Sequence, residues 1–262
     1  MTLATAAEAL APALHLQGVG RRFGALQALR DVTMEVAVGE RRAILGPNGA
    51  GKTTLFNVVT GDYLPTSGTV ELYGSDVTRL PPHRRTRLGL SRTYQTSMLF
   101  MGLTVAQSLF LAIRGAQRGR FDPRRPPADD PGRARAEEIA ALVHLADVFK
   151  APVGSLSHGQ QRQLELGMAL AANPRLLMLD EPAAGLSRGE RTLLTELLRG
   201  LPRDITVVLV EHDMDVALAA ADQVTVMHEG TVIVEGTPDE IQASRTVQDI
   251  YLGHHLAGEH HG

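Results

Sequence analysis

The sequence lacks cysteine and tryptophan, has only two lysines and carries almost no net charge. The absence of Cys among 262 residues excludes disulfide bonds and thiolate metal sites. The 26 Lys and Arg nearly balance the 29 Asp and Glu, leaving a net charge of −3, and this excludes a generally basic nucleic-acid-binding protein. No segment approaches the roughly 18 consecutive apolar residues that a membrane-spanning helix needs. The remaining composition, 44% apolar and 21% charged, indicates an ordinary globular chain with one large domain or a domain with an inserted lobe.

The first residues give an expectation about location. Residues 1–13 are rich in alanine and lack the basic start of a secretory signal peptide. We expect them to form a flexible tail, and we expect the protein to be cytoplasmic, where it could still dock on a membrane protein.

Short apolar segments alternate with amphipathic segments along the chain. Leu176–Leu179 and Ile205–Val210 are wholly apolar, as expected of strands that are buried on both faces of a sheet. Residues 14–46 are also rich in β-forming segments. The predicted helices are Thr53–Thr60, Ala136–Phe149, Gly159–Ala172 and Arg191–Leu201. This alternation predicts an α/β fold with a parallel sheet.

The composition changes over residues 114–135, which are rich in proline, glycine and charge. We interpret this segment as an exposed linker between helices of an inserted lobe. Its seven arginines are typical of a solvated surface, and contact with lipid head groups or a partner protein is the alternative.

A glycine-rich segment follows a predicted strand and opens a predicted helix. It matches the phosphate-binding pattern G-x-x-x-x-G-K-[ST] in full. Its glycines let backbone N–H groups surround a phosphate, Lys52 supplies positive charge to the β- and γ-phosphates, and the hydroxyl of Thr53 suits Mg²⁺. The pattern predicts a nucleoside triphosphate site. Its predicted residues are Gly46, Pro47, Asn48, Gly49, Ala50, Gly51, Lys52, Thr53 and Thr54.

An acidic pair ends the apolar segment Leu176–Leu179. We expect Asp180 to hold Mg²⁺ through water. If the period-two geometry of the strand continues, Glu181 points the other way and faces the γ-phosphate, where its carboxylate can polarise the attacking water. The pair predicts triphosphate hydrolysis, and an acidic strand end that caps a helix is the structural alternative.

The base of the nucleotide is predicted from one absence and one aromatic residue. Neither lysine lies in the Asn/Thr-Lys-x-Asp setting that is typical of guanine-specific P-loop proteins. Adenine is more often held by stacking alone, and Phe23 could supply the ring face. A core position for Phe23 is the alternative. We therefore predict that the nucleotide is ATP.

Three further segments complete an ordered set of motifs. They are Thr93-Tyr94-Gln95-Thr96, Leu156-Ser157-His158-Gly159-Gln160-Gln161 and Val210-Glu211-His212-Asp213. The first is similar to a Q-loop, the second to the signature sequence LSGGQ and the third to an H-loop. Together with the two phosphate-site motifs, in this order over residues 20–240, they make the sequence resemble the ATP-binding subunits of ABC transporters.

One branch of that family resembles the sequence most. The similar stretches are the signature and the helix that follows it, Glu181–Leu186, Val210–Met214, the Arg/Pro-rich insertion and the ending Tyr251-Leu252-Gly253. They resemble ATPases of branched-chain amino-acid importers and of their urea/amide relatives. The resemblance implies that the chain hydrolyses ATP to power a permease, most closely one importing branched-chain amino acids. A urea/amide importer, an exporter and a soluble non-transport ABC ATPase are the alternatives, although the last usually has two cassettes or a coiled-coil insertion.

The resemblance also implies a domain organisation. The fold would be an α/β P-loop NTPase core with a parallel sheet, an N-terminal antiparallel β subdomain and an inserted helical lobe. The implied boundaries are an N-terminal tail over 1–13, the ATP-binding core over 14–95 and 166–253, the lobe over 96–165 and a flexible His-rich tail over 254–262. The histidines of that tail could alternatively bind metal; they are His254, His255, His260 and His261.

The resemblance further implies that the ATP sites lie between two chains. A homodimer, or a heterodimer with a second ATPase subunit, would enclose two ATP molecules, each held by one P-loop and the partner's signature. The implied signature contacts are Ser157, His158, Gly159 and Gln160. Gln95 would contact Mg²⁺ or the lytic water. His212 would bond the γ-phosphate and help position Glu181.

The same resemblance implies partners at a membrane. Integral permease subunits would bind the inserted lobe, so that the chain is peripheral on the inner face of the cell membrane, and a periplasmic substrate-binding protein would act indirectly. No nucleic acid is expected. An apolar rim for the permease contact, or alternatively part of the core of the lobe, is formed by Met98, Leu99, Phe100 and Met101.

Two positions depart from the family pattern. His158 replaces the first glycine of the signature pair, and Ser187 stands where many members have an aspartate in the D-loop. The second change puts in doubt the contacts that this aspartate makes between the two ATP sites. Neither change removes a metal or phosphate ligand.

Overall fold

The computed structural model describes residues 11–93, 99–116 and 130–258, with side chains as far as Tyr251. This part of the chain forms two β-sheets with helices packed around them. The strands are β1 Leu14–Phe23, β2 Leu26–Val36, β3 Arg41–Leu45, β4 Ser67–Leu72, β5 Ser75–Asp76, β6 Leu90–Arg92, β7 Leu176–Asp180, β8 Thr206–Glu211, β9 Gln223–His228 and β10 Thr231–Gly236. The helices are α1 Lys52–Thr60, α2 Pro82–Arg87, α3 Val105–Ala116, α4 Pro131–Leu142, α5 His158–Leu170, α6 Arg188–Gly200, α7 Met214–Ala220, α8 Pro238–Ala243 and α9 Arg245–Gly258.

The larger sheet has the strand order β10-β9-β3-β8-β7-β6. All of its pairs are parallel except β9 with β10. Every residue of β3, β7 and β8 is buried, because helices or the second sheet cover both faces. Side chains alternate between two cores: Leu45 packs into one and Ile44 into the other. The predicted parallel α/β core is therefore confirmed.

The register of the central strands brings three motifs to one edge of this sheet. Leu45 at the end of β3 pairs with Glu211 at the end of β8, and Asp180 at the end of β7 pairs with Val210. The segments that follow these strands carry the phosphate-binding loop, Glu181 and His212. The carboxyl edge of a parallel sheet is where ligands bind in open α/β folds.

The smaller sheet, in the order β2-β1-β4-β5, is antiparallel throughout. It shares one core with α1 and with one face of the larger sheet. This confirms the expected N-terminal antiparallel subdomain. Ala13, which we expected in the flexible tail, is instead buried and donates its N–H to Val36 at 2.8 Å, so the sheet contacts begin before β1. Residues 1–10 of that tail lie outside the described residues.

Helices α3, α4 and α5 pack together as a lobe. Their shared core includes Leu109, Ile139 and Leu164. Gly167 of α5 lies so close to this core that a Cβ there would be 3.1 Å from the side chain of Leu109, nearer than ordinary van der Waals contact. The lobe reaches the larger sheet through one continuous cluster of buried residues, which explains why α5 continues without a break past the predicted boundary at residue 165.

The predicted helix Ala136–Phe149 is wrong at both ends: α4 begins at Pro131 and stops at Leu142. His144 has a left-handed backbone with φ 58°, and Leu145 donates its N–H to the carbonyl of Ala140 at 2.7 Å. This is the closing geometry of a Schellman motif, with histidine at the position usually held by glycine. The apolar spacing continues beyond the end of the helix because Leu145, which lies in the turn that follows, is also buried.

The C-terminal helix α9 continues to Gly258, into the segment that we expected to be a flexible tail over 254–262. Residues 259–262 lie outside the described part. Among the helices of the described residues, we find none with the length and apolar character needed to span a bilayer.

Candidate active site

The phosphate-binding loop connects β3 to α1 and is held against two neighbouring strands. A Cβ on Gly46 would lie 2.3 Å from the carbonyl oxygen of Met227, and a Cβ on Gly51 would lie 2.8 Å from that of Ala28. Gly51 also has a left-handed backbone with φ 100°. Because the backbone approaches so closely, glycine is required at both positions. The G-x-x-x-x-G spacing is thus explained by packing as well as by phosphate chemistry.

Lys52 lies in the first turn of α1 with its amine turned back onto the loop. Its Nζ donates to the carbonyls of Gly46 at 2.6 Å and Pro47 at 3.1 Å, and the residue is only 5% exposed. Burial lowers the pKa of the Lys52 amine, opposed first by the negative charge of Glu181 and then by that of Asp180. The amine therefore faces the acidic pair across the site.

The rest of the loop is arranged around this amine. The N–H of Ala50 bonds the carbonyl of Pro47 at 3.1 Å, which tightens the loop. Asn48, Gly49 and Thr53 are exposed, and Thr54 is half-buried in the first turn of α1. The loop thus presents a polar surface at the start of a helix, where an anion is favoured.

Asp180 ends β7 and is 8% exposed. Among the described residues its buried Oδ1 has no hydrogen-bond partner. Burial, together with the nearby Glu181 charge, raises the pKa of Asp180 to about 6, and the Lys52 charge opposes this rise. A buried acceptor without a donor fits a carboxylate that completes its bonding with a bound cation or its water.

Glu181 departs from the geometry that we expected. Its backbone is left-handed, with φ 46°, so the strand does not continue through it and the period-two argument for its direction is wrong. Its N–H still bonds the carbonyl of Val210 at 2.9 Å, which anchors the turn on β8. A non-glycine residue in this conformation costs free energy, of order 1 kcal/mol or more, and such positions concentrate at functional sites.

His212 follows β8 and meets Glu181. Its Nδ1 lies 3.4 Å from the Oε1 of Glu181. The imidazole is half-exposed and the carboxylate is largely buried, with 20% of its side chain exposed. The structure thus brings together four predicted residues, Lys52, Asp180, Glu181 and His212, at the carboxyl edge of the sheet.

Glu211 is a supporting residue of the site that the sequence motifs do not predict. This residue is 0% exposed, and its Oε1 accepts the N–H of Ala183 at 3.0 Å, while its Oε2 has no partner among the described residues. Burial raises the pKa of Glu211 to about 7, against the hydrogen bond from Ala183. The carboxylate fixes the segment that follows Glu181. An acidic residue at the end of an otherwise apolar strand was the available signal.

An ion pair for which the sequence motifs predict no role also supports this region. Asp213 accepts the N–H of Val216 at 3.2 Å, which caps α7, and it forms a short ion pair with Arg191 of α6. Arg191 also donates to the carbonyl of Leu186 at 3.0 Å. The segment carrying His212 and the segment after Glu181 are therefore connected to each other through α6.

Phe23 lies at the end of β1, at the tip of the hairpin with β2, and is 37% exposed. Its ring packs edge-on against Tyr63, with 5.3 Å between centroids, and the Arg21 guanidinium lies 4.4 Å from its centroid. The ring therefore stands at the surface and not in the core. It remains our candidate for the base-stacking residue.

The hydrogen bonds described for the signature residues join them to α5 and α6, and none of these bonds reaches the phosphate-binding loop. Ser157 is the N-cap of α5: its side chain accepts the N–H of Gln160 at 3.2 Å, and the Gln160 side chain accepts the N–H of Ser157 at 3.0 Å. Gly159 donates its N–H to Glu190 of α6 at 3.0 Å. The imidazole of His158 packs on Gly185, 3.1 Å from where a Cβ would lie, which gives this departure from the family pattern a packing role. These contacts group the signature with the start of α6.

Several predicted residues are not described or only partly described. Gln95 and Met98 lie outside the described residues, as do His260 and His261, and nothing is described of the side chains of His254 and His255. In the predicted apolar rim, Leu99 packs against the core of the lobe, whereas Phe100 and Met101 are exposed.

Comparisons with known proteins show which family the chain is similar to. A protein-family model described as ABC transporter matches residues 29–184, and one described as branched-chain amino acid ATP-binding cassette transporter matches residues 231–257. The chain is 37% identical over 250 residues to the high-affinity branched-chain amino acid transport ATP-binding protein BraF of Pseudomonas aeruginosa, covering 92% of this chain and 98% of that protein. It is 36% identical, with the same coverages, to the corresponding protein LivG of Escherichia coli K12.

Solved structures share the fold. The ADP conformation of an ATP-binding cassette of an ABC transporter superposes with a TM-score of 0.82 at 29% identity, covering 92% of this chain and 99% of that chain. A nucleotide-free ATP-binding cassette from an ABC transporter gives a TM-score of 0.78 at 29% identity, covering 92% and 98%. With the family model matching more than half of the residues, the chain belongs to the ABC transporter family, as one of its ATPase subunits.

Proposed function

We propose that this chain hydrolyses ATP at sites shared between two ATPase subunits and thereby drives a membrane permease that imports branched-chain amino acids. The observation that carries the hydrolytic part is the meeting of Glu181 and His212, 3.4 Å apart, at the sheet edge that also holds Lys52 and Asp180. At this edge the Lys52 amine can bind phosphate and the buried Asp180 carboxylate can bind a metal ion. The Glu181 carboxylate, which contacts His212, can act on the attacking water.

Lys52 and the loop act on the phosphates. The amine, now bonded to two loop carbonyls, would exchange them for oxygens of the β- and γ-phosphates when the triphosphate enters. The first-turn N–H groups of α1 add the positive end of a helix dipole.

Asp180 and Thr53 are the residues that would hold Mg²⁺. The buried, unpartnered Oδ1 of Asp180 and the exposed hydroxyl of Thr53 are both oxygen donors, which this cation prefers. When bound, the cation supplies positive charge that offsets the charge of the phosphates. Gln95 is a further predicted ligand.

Glu181 acts on the attacking water as a general base. Its carboxylate accepts a proton from water as the bond to the γ-phosphorus forms and the bond to the bridging oxygen breaks. His212, in the tautomer protonated on Nδ1, donates to Glu181 and so orients the carboxylate. In the imidazolium form Nε2 also carries a proton, which it would donate to an oxygen of the γ-phosphate.

The site is completed by a second ATPase subunit, in a homodimer or a heterodimer. The contacts described for Ser157 and Gly159 are with Gln160 and Glu190, and none is with residues 46–54. A signature sequence whose described hydrogen bonds do not reach its own phosphate-binding loop favours contact with the triphosphate of another chain.

The hydrolytic proposal is tested by Glu181→Gln. We expect ATP hydrolysis to fall by about 100-fold or more, because the base is lost, while the affinity for ATP persists. The matched control is Glu229→Gln, since Glu229 is exposed and has the same left-handed backbone, with φ 47°. An unchanged hydrolysis rate in Glu181→Gln would remove this residue from the role of base.

The two-chain site is tested by light scattering in the Glu181→Gln background. ATP should produce dimers, and Ser157→Arg should abolish them without changing the affinity of the single chain for ATP. Thr237→Arg is the matched control, because Thr237 is the N-cap of α8 in the same type of capping box. Dimers that persist with Ser157→Arg would contradict the shared site.

The transport part rests on the match of residues 231–257 and on the similarity to BraF and LivG, which are branched-chain amino acid transport ATP-binding proteins. The partners would be permease subunits, with a substrate-binding protein acting indirectly, and the chain would be attached to the membrane through them. The test is ATP-driven uptake by the reconstituted complex, comparing leucine with urea. Uptake of urea but not of leucine would favour a urea importer instead. A complex that contains Glu181→Gln is the control, because it measures uptake in the absence of ATP hydrolysis.

A further inference from the structure

Glu190 connects the starts of two helices that carry different parts of the ATPase. One of its oxygens, Oε2, accepts the N–H of Ser187 at 2.9 Å and the Ser187 hydroxyl at 2.7 Å, which completes the capping box of α6. The other oxygen, Oε1, accepts the N–H of Gly159 in the first turn of α5, at 3.0 Å. A single carboxylate thus bonds the segment after the catalytic Glu181 and the tip of the signature helix.

The contact between Glu190 and Gly159 depends on a missing side chain. A Cβ on Gly159 would lie 2.5 Å from the Oε1 of Glu190, so only glycine allows the carboxylate to approach. Hydrogen bonds from Ser187 and then from Gly159, with the nearby His158, lower the pKa of Glu190. The carboxylate is therefore an anion at neutral pH, placed where a helix N-terminus favours negative charge.

Two first-turn donors of the signature helix are engaged within the chain itself. The N–H of Gly159 goes to Glu190, and that of Gln160 goes to the Ser157 hydroxyl. Glu190 and Gly159 both line an open cleft of about 370 Å³, so solvent and an incoming anion can reach the contact. An anion from outside the chain must replace Glu190 to use the Gly159 donor.

We propose that the Glu190 carboxylate takes the place of the partner's γ-phosphate on the Gly159 N–H in the single subunit and leaves it when two subunits close around ATP. The inference rests on the proposed two-chain site. Because two anions cannot share one donor, Glu190 raises the ATP concentration needed for closure. The same displacement breaks the bond from Gly159 of α5 to the Oε1 of Glu190 in α6. Closure of the two subunits therefore changes the contacts of the residue that also bonds Ser187.

The test is Glu190→Gln in the Glu181→Gln background, titrated with ATP and followed by light scattering. Glutamine is accepted at this position of a capping box, so α6 stays capped, while the negative charge at Gly159 is removed. We expect the ATP concentration at half-dimerisation to fall by about fivefold, since a charge-assisted bond is replaced by a weaker neutral one. The affinity of the isolated subunit for ATP should not change.

Glu240→Gln is the matched control. Glu240 caps α8 through Thr237 with the same box, accepting the Thr237 N–H at 2.7 Å, and it has no described bond to a second helix. Thermal unfolding of both variants measures any loss of cap stability. An equal shift of the dimerisation midpoint in Glu240→Gln would overturn the proposal, because a general effect of charge would then explain the result.

Other outcomes also decide the question. An unchanged ATP concentration at half-dimerisation in Glu190→Gln would overturn the proposal that Glu190 competes with the γ-phosphate. A higher concentration would also overturn it, because Glu190 would then prepare the signature helix for binding. Dimers in the Glu181→Gln background with an unshifted midpoint would leave the proposed function standing and defeat this inference alone. Absence of dimers at any ATP concentration would overturn both.

Discussion

Replacing the buried Glu211 by glutamine should make the protein more stable, and increasingly so as the pH rises. The amide keeps an acceptor for the N–H of Ala183, and it resembles the protonated carboxyl in shape. What the change removes is a negative charge at a site with 0% exposure. Removing an unpaired buried charge without leaving a cavity is expected to stabilise a fold.

The magnitude follows from the raised pKa. The pKa of Glu211 is raised from an ordinary 4.5 to about 7, mainly by burial. Because the raised pKa favours the protonated native state, the stability from this group is fully present below pH 4.5 and is lost as the pH rises through 7. The full window corresponds to about 3 kcal/mol, and between pH 5 and pH 8 the advantage of Glu211→Gln should grow by about 2 kcal/mol.

The assay is urea or thermal unfolding of the nucleotide-free protein at pH 5, 6, 7 and 8. For a chain of this size we expect the difference in Tm between variant and wild type to increase by about 6 °C over that range. Glu240→Gln gives a control without this pH dependence. Hydrogen bonds with Thr237 lower the pKa of Glu240 below its ordinary 4.5, so its contribution is present throughout the range from pH 5 to pH 8 and is lost only at lower pH. A difference in Tm between Glu211→Gln and wild type that stays constant from pH 5 to pH 8 would refute the reasoning.

Three further changes have defined outcomes. Asp180→Asn should raise the unfolding free energy of the nucleotide-free protein by about 3 kcal/mol above pH 6, because burial raises the pKa of Asp180 from 3.8 to about 6. Its hydrolysis rate should fall by about 100-fold. Gly46→Ala should weaken ATP binding by at least about tenfold in calorimetry, because its Cβ would meet the Met227 carbonyl at 2.3 Å. Arg85→Leu should lower the unfolding free energy by about 3 kcal/mol, because this buried guanidinium donates to the carbonyls of Val58, Val59 and Leu80.

Each of these changes has a control on an exposed or open position. Asp204→Asn should leave both Tm and hydrolysis unchanged, and Arg84→Leu, on the same helix as Arg85, should change stability by less than about 0.5 kcal/mol. Gly200→Ala introduces a Cβ with nothing within 4 Å and should not affect ATP binding. Normal ATP affinity in Gly46→Ala, or a lower Tm for Asp180→Asn at pH 8, would contradict the geometry of the site.

The phosphate-binding loop could be predicted because all of its determinants are close in the sequence. A buried strand, three glycines, Lys52 and a helix follow one another without interruption, and the local backbone explains the pattern. The parallel core could be predicted for a similar reason, since strands such as β7 and β8 are apolar on both faces. Even the edge at which Asp180 and His212 meet follows from parallel strands ending together.

Turn conformations were harder to predict. The apolar spacing of residues 139–148 fits a continuous helix, yet His144 adopts a left-handed backbone and ends it. Glu181 likewise leaves the strand through a left-handed turn, and its direction is set by a hydrogen bond to Val210 and not by alternation. The bond that anchors Glu181 comes from a distant strand, whereas the turn at His144 is closed by local backbone bonds around a residue that rarely adopts this conformation, so apolar spacing predicts neither turn.

By itself, the sequence determined the chemistry at the sheet edge, because a lysine in a glycine loop and carboxylates after apolar strands can be recognised by spacing alone. The tertiary structure decided how those groups are supported. Glu211 reaches the N–H of Ala183 and Glu190 reaches that of Gly159 across 28 and 31 positions of the chain. A spacing rule extends over one helical turn or one strand pair, whereas these bonds exist only because β7, β8, α5 and α6 pack side by side.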